Sequence, residues 1–390
     1  MRFIMSLKRA IIISVVNVLL LLFLSYILNN QPLFTGEDLN QYAWMELLKE
    51  KLGLSNKQDY EDALFINVAY DKQLIEYQDD YGMALGNIDI TDRGKLLQLL
   101  TILERSRQYK YIFLDVIFEK GYKTPVDSAL FSMIKNMKNI VIVNHSDIAL
   151  SDLSLKNKSA INEYASTIVA TNFTRFVYLH GQQASMPLYA YRSLTGKDIS
   201  RYGLFYTCDG KLCQNSLFLR FPTKGLSEYD ANNERMYYNL GSDLLESYSV
   251  QDLALLTKDK YVFIGDMVED VHDTYAGLKP GIIITYQALQ ALLKNEHIVP
   301  IGLIVILSII YFLISLSLLR SKSVIDRIPI IKHSHSKIIN FIVSFLGYVS
   351  VLFAVVVVLN LFFDKTISIL IPSLFFATLN LIIKYKRTEI

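Results

Sequence analysis

Apolar positions along the chain fall into two kinds of run. Four are long and free of charge: Ala10 to Leu28, Val299 to Leu319, Ile338 to Phe363 and Thr366 to Ile383 contain no Asp, Glu, Lys, Arg or His. About 20 such residues at helical rise cross roughly 30 Å of hydrocarbon, so each run predicts a transmembrane helix. Their polar residues, among them Asn17, Ser308, Asn340, Ser350 and Asn380, are uncharged and suited to bonding the helix backbone or a neighbouring helix. The remaining runs are short and rich in β-branched and aromatic residues: Ala63 to Ala69, Tyr111 to Phe118, Ile140 to Asn144, Thr167 to Ala170, Leu217 to Phe221 and Tyr261 to Ile264. Such runs predict buried strands.

Segments with helical periodicity separate the first three strands. Gly94 to Tyr109 gathers its leucines on one broad face, and Asp127 to Met137 repeats the pattern with Ala129, Leu130, Met133 and Ile134. Strand, helix, strand, helix, strand is a βαβαβ unit, which favours a parallel sheet. From about 172 to 250 the chain is richer in Tyr, Asn and Ser, and antiparallel additions beside the sheet are expected there. An apolar helix, Ile282 to Leu293, follows the last strand and is expected to run continuously into the second span, as a rigid rod. The fold class is therefore α/β: an extracytoplasmic parallel or mixed sheet domain with flanking helices and antiparallel additions, plus four transmembrane helices.

Composition agrees with that division, because 52% hydrophobic and 19% charged residues is too apolar for an ordinary soluble chain. Basic residues then orient the spans, since they concentrate in short cytoplasmic segments. Arg2, Lys8 and Arg9 precede the first span; Arg320, Lys322, Arg327, Lys332 and Lys337 lie between the second and third; Lys384, Lys386 and Arg387 follow the fourth. Alternating spans put all of them on one side. The expected order is cytoplasmic 1–9, span 10–28, extracytoplasmic domain 29–298, span 299–319, cytoplasmic loop 320–337, spans 338–363 and 366–383, and cytoplasmic tail 384–390. A cleaved signal peptide is the rival reading of the first span. Its apolar core exceeds the roughly 7 to 15 residues of a signal peptide, and Ser25 to Gln31 offers no small-x-small site, so a retained anchor is expected. The formal charge of +2 and the pI near 8.2 point to no nucleic-acid partner.

Candidate chemistry is acidic and sits where a parallel sheet binds ligands, beyond the carboxyl ends of its strands. Asp71 follows the first strand, Asp115 lies in the second, Asp127 opens a helix, and Asp266, Glu269, Asp270, His272 and Asp273 crowd the loop after the last strand. Carboxylates beside a histidine can bind a cation or polar ligand, or act as acid and base. The structural alternatives are a helix N-cap for Asp127 and turn formation for the 266–273 loop. Asp115 is the most informative, because a carboxylate inside an apolar strand is costly unless it is bonded. Cys208 and Cys213 flank Asp209-Gly210, a strong hairpin-turn signal. A disulfide across that turn is expected in an oxidising compartment, two core thiols being the alternative. No metal or cofactor is expected, and the sequence has no P-loop, G-x-G-x-x-G, G-x-S-x-G or H-E-x-x-H pattern. His333 and His335 are expected to be polar loop.

The order of these pieces resembles the CHASE2 family, extracytoplasmic sensor domains with one transmembrane helix before them and typically three after. The opening part is similar in Phe65-Ile66-Asn67-Val68-Ala69-Tyr70-Asp71, Gly86-Asn87-Ile88-Asp89, Thr91-Asp92-Arg93, Tyr111 to Glu119, Val126-Asp127-Ser128-Ala129-Leu130 and Asn139-Ile140-Val141-Ile142-Val143. The closing part is similar in Lys260 to Asp266, His272-Asp273-Thr274 and Lys279-Pro280-Gly281. Two departures stand out: where the family commonly has Ile-His-Ala this chain has Ile284-Thr285-Tyr286, and only Lys384 to Ile390 follow the last span, where the family usually continues into a cyclase or kinase output domain. The resemblance implies a bacterial sensory or accessory protein of the cytoplasmic (inner) membrane, both termini cytoplasmic and the main domain periplasmic. It would bind an unknown extracytoplasmic ligand or partner and signal through its spans to a separate membrane or cytoplasmic protein. Asp115, Asp266, His272, Asp273, Asp71 and Arg93 are its expected ligand-binding residues. A homodimer is suggested by analogy with signalling receptors. A structural or envelope-assembly role, with the domain as an interaction module, is the alternative, and no enzymatic activity is expected.

Overall fold

The computed structural model describes residues 6–30, 37–54, 60–78, 83–144, 150–162, 164–166, 173–221, 237–320 and 337–388. They form two compact units, one of Asn56–Arg201 with Tyr206–His297, the other of the apolar helices with their flanks. The expected strand Thr167 to Ala170, His333, His335 and most of the 320–337 loop lie outside the described residues.

The first unit is built on six parallel strands: β1 (Ala63–Asn67), β2 (Tyr111–Asp115), β3 (Ile140–Asn144), β4 (Ser159–Ile161), β5 (Tyr237–Asn239) and β6 (Tyr261–Gly265). Their spatial order is β5-β1-β6-β2-β3-β4, so the last strand is inserted between the first two members of the expected βαβαβ unit. β1 and β6 are buried along their whole length, as central parallel strands require. Alternate residues serve opposite faces. Leu64, Ile66, Ile112, Leu114, Ile140, Ile142, Val262 and Ile264 pack on one side with Leu96, Leu99, Leu100, Leu130, Ile134 and Leu253. Those helical residues belong to α3 (Arg93–Ser106), α4 (Asp127–Asn136) and α6 (Val250–Leu256). Phe65, Phe113, Val141, Val143 and Phe263 face the other way, onto α5 (Met186–Thr195) and α7 (Gly281–Leu293).

That second face is aromatic. Phe65, Phe263 and Phe113 stand in register on adjacent strands, with ring centroids 5.5 and 4.4 Å apart, and Tyr286 of α7 meets Phe65 and Phe263 edge-on at 5.6 Å. Tyr286 also donates to Asp62 Oδ1 at 2.7 Å, and Gln290 to Oδ2 at 2.8 Å, which ties α7 to the entry of β1.

Several expectations change. The hairpin Lys72–Gln78 with Ala84–Thr91, the strands β4 and β5 and the helices α5 and α6 are additional to the expected elements. β5, within the stretch expected to be antiparallel, pairs parallel with β1. Of the expected strand Leu217 to Phe221 only Leu217 is in a strand, Ser216–Leu217. Asp127 is not an N-cap: Val126 holds that place, and the Asp127 carboxylate turns back to Thr124 and across to Arg93.

The Asp209-Gly210 turn forms as expected, with positive φ at both residues (50° and 71°), the type I′ geometry that suits a two-residue hairpin. The expected disulfide is not formed. Both cysteines are buried thiols, and the register sets Cys208 opposite Lys211 and Cys213 opposite Tyr206. The two cysteines are diagonal neighbours, roughly 7 to 8 Å apart in such a ladder, whereas bridged Cβ atoms lie about 3.8 Å apart.

The continuous helix expected from Ile282 into the second span is also absent. α7 ends at Leu293, Asn295 takes a left-handed φ of 57°, and α8 (Ile301–Leu319) starts anew after Pro300. The amides of Lys294, Asn295 and Glu296 close back on the last turn of α7, and Pro300 cannot supply a helical N–H.

The second unit contains α1 (Leu7–Asn30), α2 (Glu37–Lys51), α8, α9 (Lys337–Phe363) and α10 (Leu370–Thr388). α1, α8 and α9 are long and apolar enough to cross a membrane. α10 takes the place of the expected fourth span, but its apolar part, Leu370–Tyr385, is shorter. Two asparagines in these helices bond across to a neighbouring helix: Asn17 donates to Ser315 Oγ at 2.8 Å between α1 and α8, and Asn380 to Ser344 Oγ at 3.0 Å between α9 and α10. Ser308 and Ser350 bond the carbonyls four residues back, at 2.7 and 2.9 Å.

Two outcomes follow. Phe263→Ala, which empties the middle of the aromatic row, should lower unfolding free energy by about 3 to 5 kcal/mol in urea titrations followed by circular dichroism. Thiol titration of the unreduced, denatured chain should count two thiols, and the native chain should react far more slowly, since burial raises both thiol pKa values.

Candidate functional site

Four adjacent strands, β5, β1, β6 and β2, end in register, so Asn239, Asn67, Gly265 and Asp115 form one row across the carboxyl edge of the sheet. Asn67 ties the loops there together. Its Oδ1 accepts from Ala69 N at 3.1 Å and Met267 N at 3.0 Å, while its amide donates to Asn239 Oδ1 at 2.9 Å. Gly265 is small by necessity, because a Cβ there would lie 2.4 Å from Ile282 Cγ2 and 3.1 Å from Asp115 Cβ. The start of α7 is thereby seated against the strand that neighbours Asp115.

Asp115 Oδ2 accepts from the Asn162 amide at 3.3 Å. The same amide donates to Thr285 Oγ1 at 3.0 Å, and Thr285 donates to Gly281 O at 3.0 Å within α7. Burial pushes the Asp115 carboxyl up to about 7; the negative charge of Asp270 adds to the rise, and the Asn162 hydrogen bond opposes it.

Around it lies the loop after β6. Asp266 Oδ1 accepts from Val268 N at 2.9 Å and Glu269 N at 2.8 Å, and Lys72 lies 3.3 Å from Oδ2. Burial would raise the Asp266 pKa, but those backbone amides and Lys72 outweigh it and hold the carboxyl below its ordinary value. Asp270 Oδ1 lies 2.9 Å from His272 Nε2, and its carbonyl accepts from Gly281 N, the first residue of α7, at 2.9 Å. The hairpin Val271–Thr274 with Gly277–Pro280 sets His272 opposite Lys279, which is buried and whose ammonium pKa is lowered by that burial. Asp273, opposite Leu278, is exposed.

The structure therefore brings Asp115, Asp266, Asp270 and His272 into one region and leaves Asp71 and Arg93 to other work. Asp71 is buried, accepting from Lys95 Nζ at 2.6 Å and Gly241 N at 3.0 Å. A Cβ on Gly241 would come within 2.4 Å of Asp71 Oδ1, so glycine is needed for that contact. Arg93 is 1% exposed; its Nη1 donates to Asp127 Oδ2 at 2.6 Å and Tyr122 O at 2.8 Å, with Phe118 and Phe131 rings 5.5 and 5.9 Å from the guanidinium carbon. Both residues hold α3 to neighbouring elements.

Asn67, Asn162 and Thr285 escaped the sequence reading. A polar residue closing an apolar strand was a usable signal for Asn67, and the place of the family's usual histidine marked Thr285. Asn162 follows a strand too short to show a period. Among the described residues no three His, Cys, Asp or Glu side chains are grouped to hold a metal ion.

The class is thus an α/β domain built on a doubly covered parallel sheet, with polar loops at its carboxyl edge, in a chain that also carries helices apolar enough to cross a membrane. The family model of the CHASE2 domain matches residues 18–319, and the chain belongs to this family of sensory domains. No curated protein and no solved structure matches the chain significantly.

The raised carboxyl gives a pH test. An Asp that titrates near 3.9 when unfolded and near 7 when folded binds its proton more tightly in the folded state. Its contribution to stability is full below about pH 4 and is lost as pH rises to about 7. Asp115→Asn should remove that loss, so the melting temperature of the variant relative to the parent should climb between pH 5 and pH 8.

Proposed function

We propose that this chain is a membrane-bound sensor: its domain, about residues 29–298, stands on the extracytoplasmic face of a bacterial inner membrane and binds a ligand or protein at the carboxyl edge of the sheet. Both termini lie in the cytoplasm, and the bound state is passed through the apolar helices to a partner protein, without catalytic turnover at this edge. The observation that carries the reading is Asp115, a strand carboxylate met by an amide and facing the negative charge of Asp270. A cationic or hydrogen-bond-donating group placed there would relieve that repulsion.

The same site supports a route for the signal. Asn162 links Asp115 to Thr285 on α7, and Asp270 holds the first amide of α7. Movement of α7 reaches α8 through the connector Lys294 to Pro300, a jointed linkage in place of a rod.

Hydrogen exchange on the full chain in lipid nanodiscs, with and without fractions of extracytoplasmic extract, tests the binding edge. Protection of residues 265–281 and 111–116 by one fraction, lost in Asp115→Asn/Asp266→Asn, is the expected result. Unchanged exchange with every fraction, or protection that survives both substitutions, would refute the site.

A further inference from the structure

α2 is turned inside out for a helix in water. Gln41, Met45 and Lys49, four residues apart on one stripe, are 5%, 3% and 7% exposed, whereas Trp44 and Leu47 on the other side are 67% and 48% exposed. A soluble amphipathic helix buries its tryptophan and leucine and shows its glutamine and lysine. The arrangement is understandable when the outward face meets something less polar than water.

The position of α2 says what that is. The helix packs on α9, and Lys49 Nζ forms an ion pair with Asp364 Oδ1 at 2.5 Å, with Glu46 3.6 Å away. Asp364 is the residue directly after α9, one of the three helices fit to cross a membrane, so it marks where that span leaves the hydrocarbon. At 1.5 Å per residue, Leu47 lies within about 3 Å and Trp44 within about 8 Å of Lys49 along the axis. The head-group layer is roughly 5 to 8 Å deep on each side of the hydrocarbon, and Trp is the residue most at home in it.

We infer that α2 is an interfacial anchor: its Trp44–Leu47 face lies in the boundary between lipid head groups and acyl chains, at the level where Asp364 closes α9. Leu52 and Leu54, 55% and 58% exposed just beyond the helix, extend the apolar surface. Attraction to anionic lipid is not the cause, since Glu37, Asp38, Glu46 and Glu50 outnumber Lys49 and Lys51. Insertion of apolar surface is. The inference is independent of what binds at the carboxyl edge of the sheet.

Trp44 is the chain's single tryptophan, so its own fluorescence reports the answer. The full chain would be reconstituted in phosphatidylcholine vesicles carrying bromine or nitroxide at the head group, high on the acyl chain or near the bilayer centre, with Trp44→Phe as the blank. Quenching at least twofold stronger from the head-group or upper-chain labels than from the central label or aqueous iodide, and equal in low and high salt, is expected. Three results would overturn the anchor: dominant quenching by iodide (a face in water), dominant quenching by the central label (a buried span), or quenching by neither (a face covered by protein).

Discussion

β1 and β6 are buried on both faces from end to end, and this constraint shapes everything else in the sheet unit. A strand with no solvent face can hold only apolar side chains along its length, so helices must cover the sheet on both sides and polar chemistry is displaced to the strand ends. The insertion of β6 between β1 and β2 brings three such ends together, as Asn67, Gly265 and Asp115. The close seating of α7 on Gly265 then places a helix directly beside them.

What happens to each acidic group at or near that edge depends on its neighbour. Asp71 meets Lys95, Asp127 meets Arg93 and Asp266 meets Lys72, and each pair fastens one element to another. Arg93–Asp127 is the most buried of the three, and breaking it would leave a charge without compensation. Asp115 has an amide for its neighbour and a like charge nearby, so its ionised form is the least satisfied of the four.

In the helical unit the polar constraint works in reverse. Among such apolar helices an amide has few partners, and Asn17 and Asn380 each find a serine on an adjacent helix. Where α9 ends, the requirement is lifted, and the Lys49–Asp364 pair sits there together with a helix that shows its tryptophan outward. The break between α7 and α8 separates the two regimes: Asn295 and Pro300 stop one helix and restart another, so the sheet unit is joined to the spans by a short non-helical connector.

Local sequence alone determined the apolar helices, the strands β1, β2, β3 and β6, the helices α3, α4 and α7 and the Asp-Gly turn. These features rest on local periodicity or on backbone geometry that neighbouring residues set. Strands of three residues such as β4 and β5 carry no period to read, whereas α5 was legible from its amphipathic face and its Ser185 and Gly196 caps. The pairing of Cys208 with Lys211 follows from the two-residue Asp209-Gly210 turn, because turn type and loop length fix hairpin register, so the diagonal placing of Cys213 was legible there. Only the tertiary structure decided which carboxylates are spent on internal cations and which one is left beside an amide, because Lys95, Asn162 and Asp270 reach their partners across the fold and not along the chain.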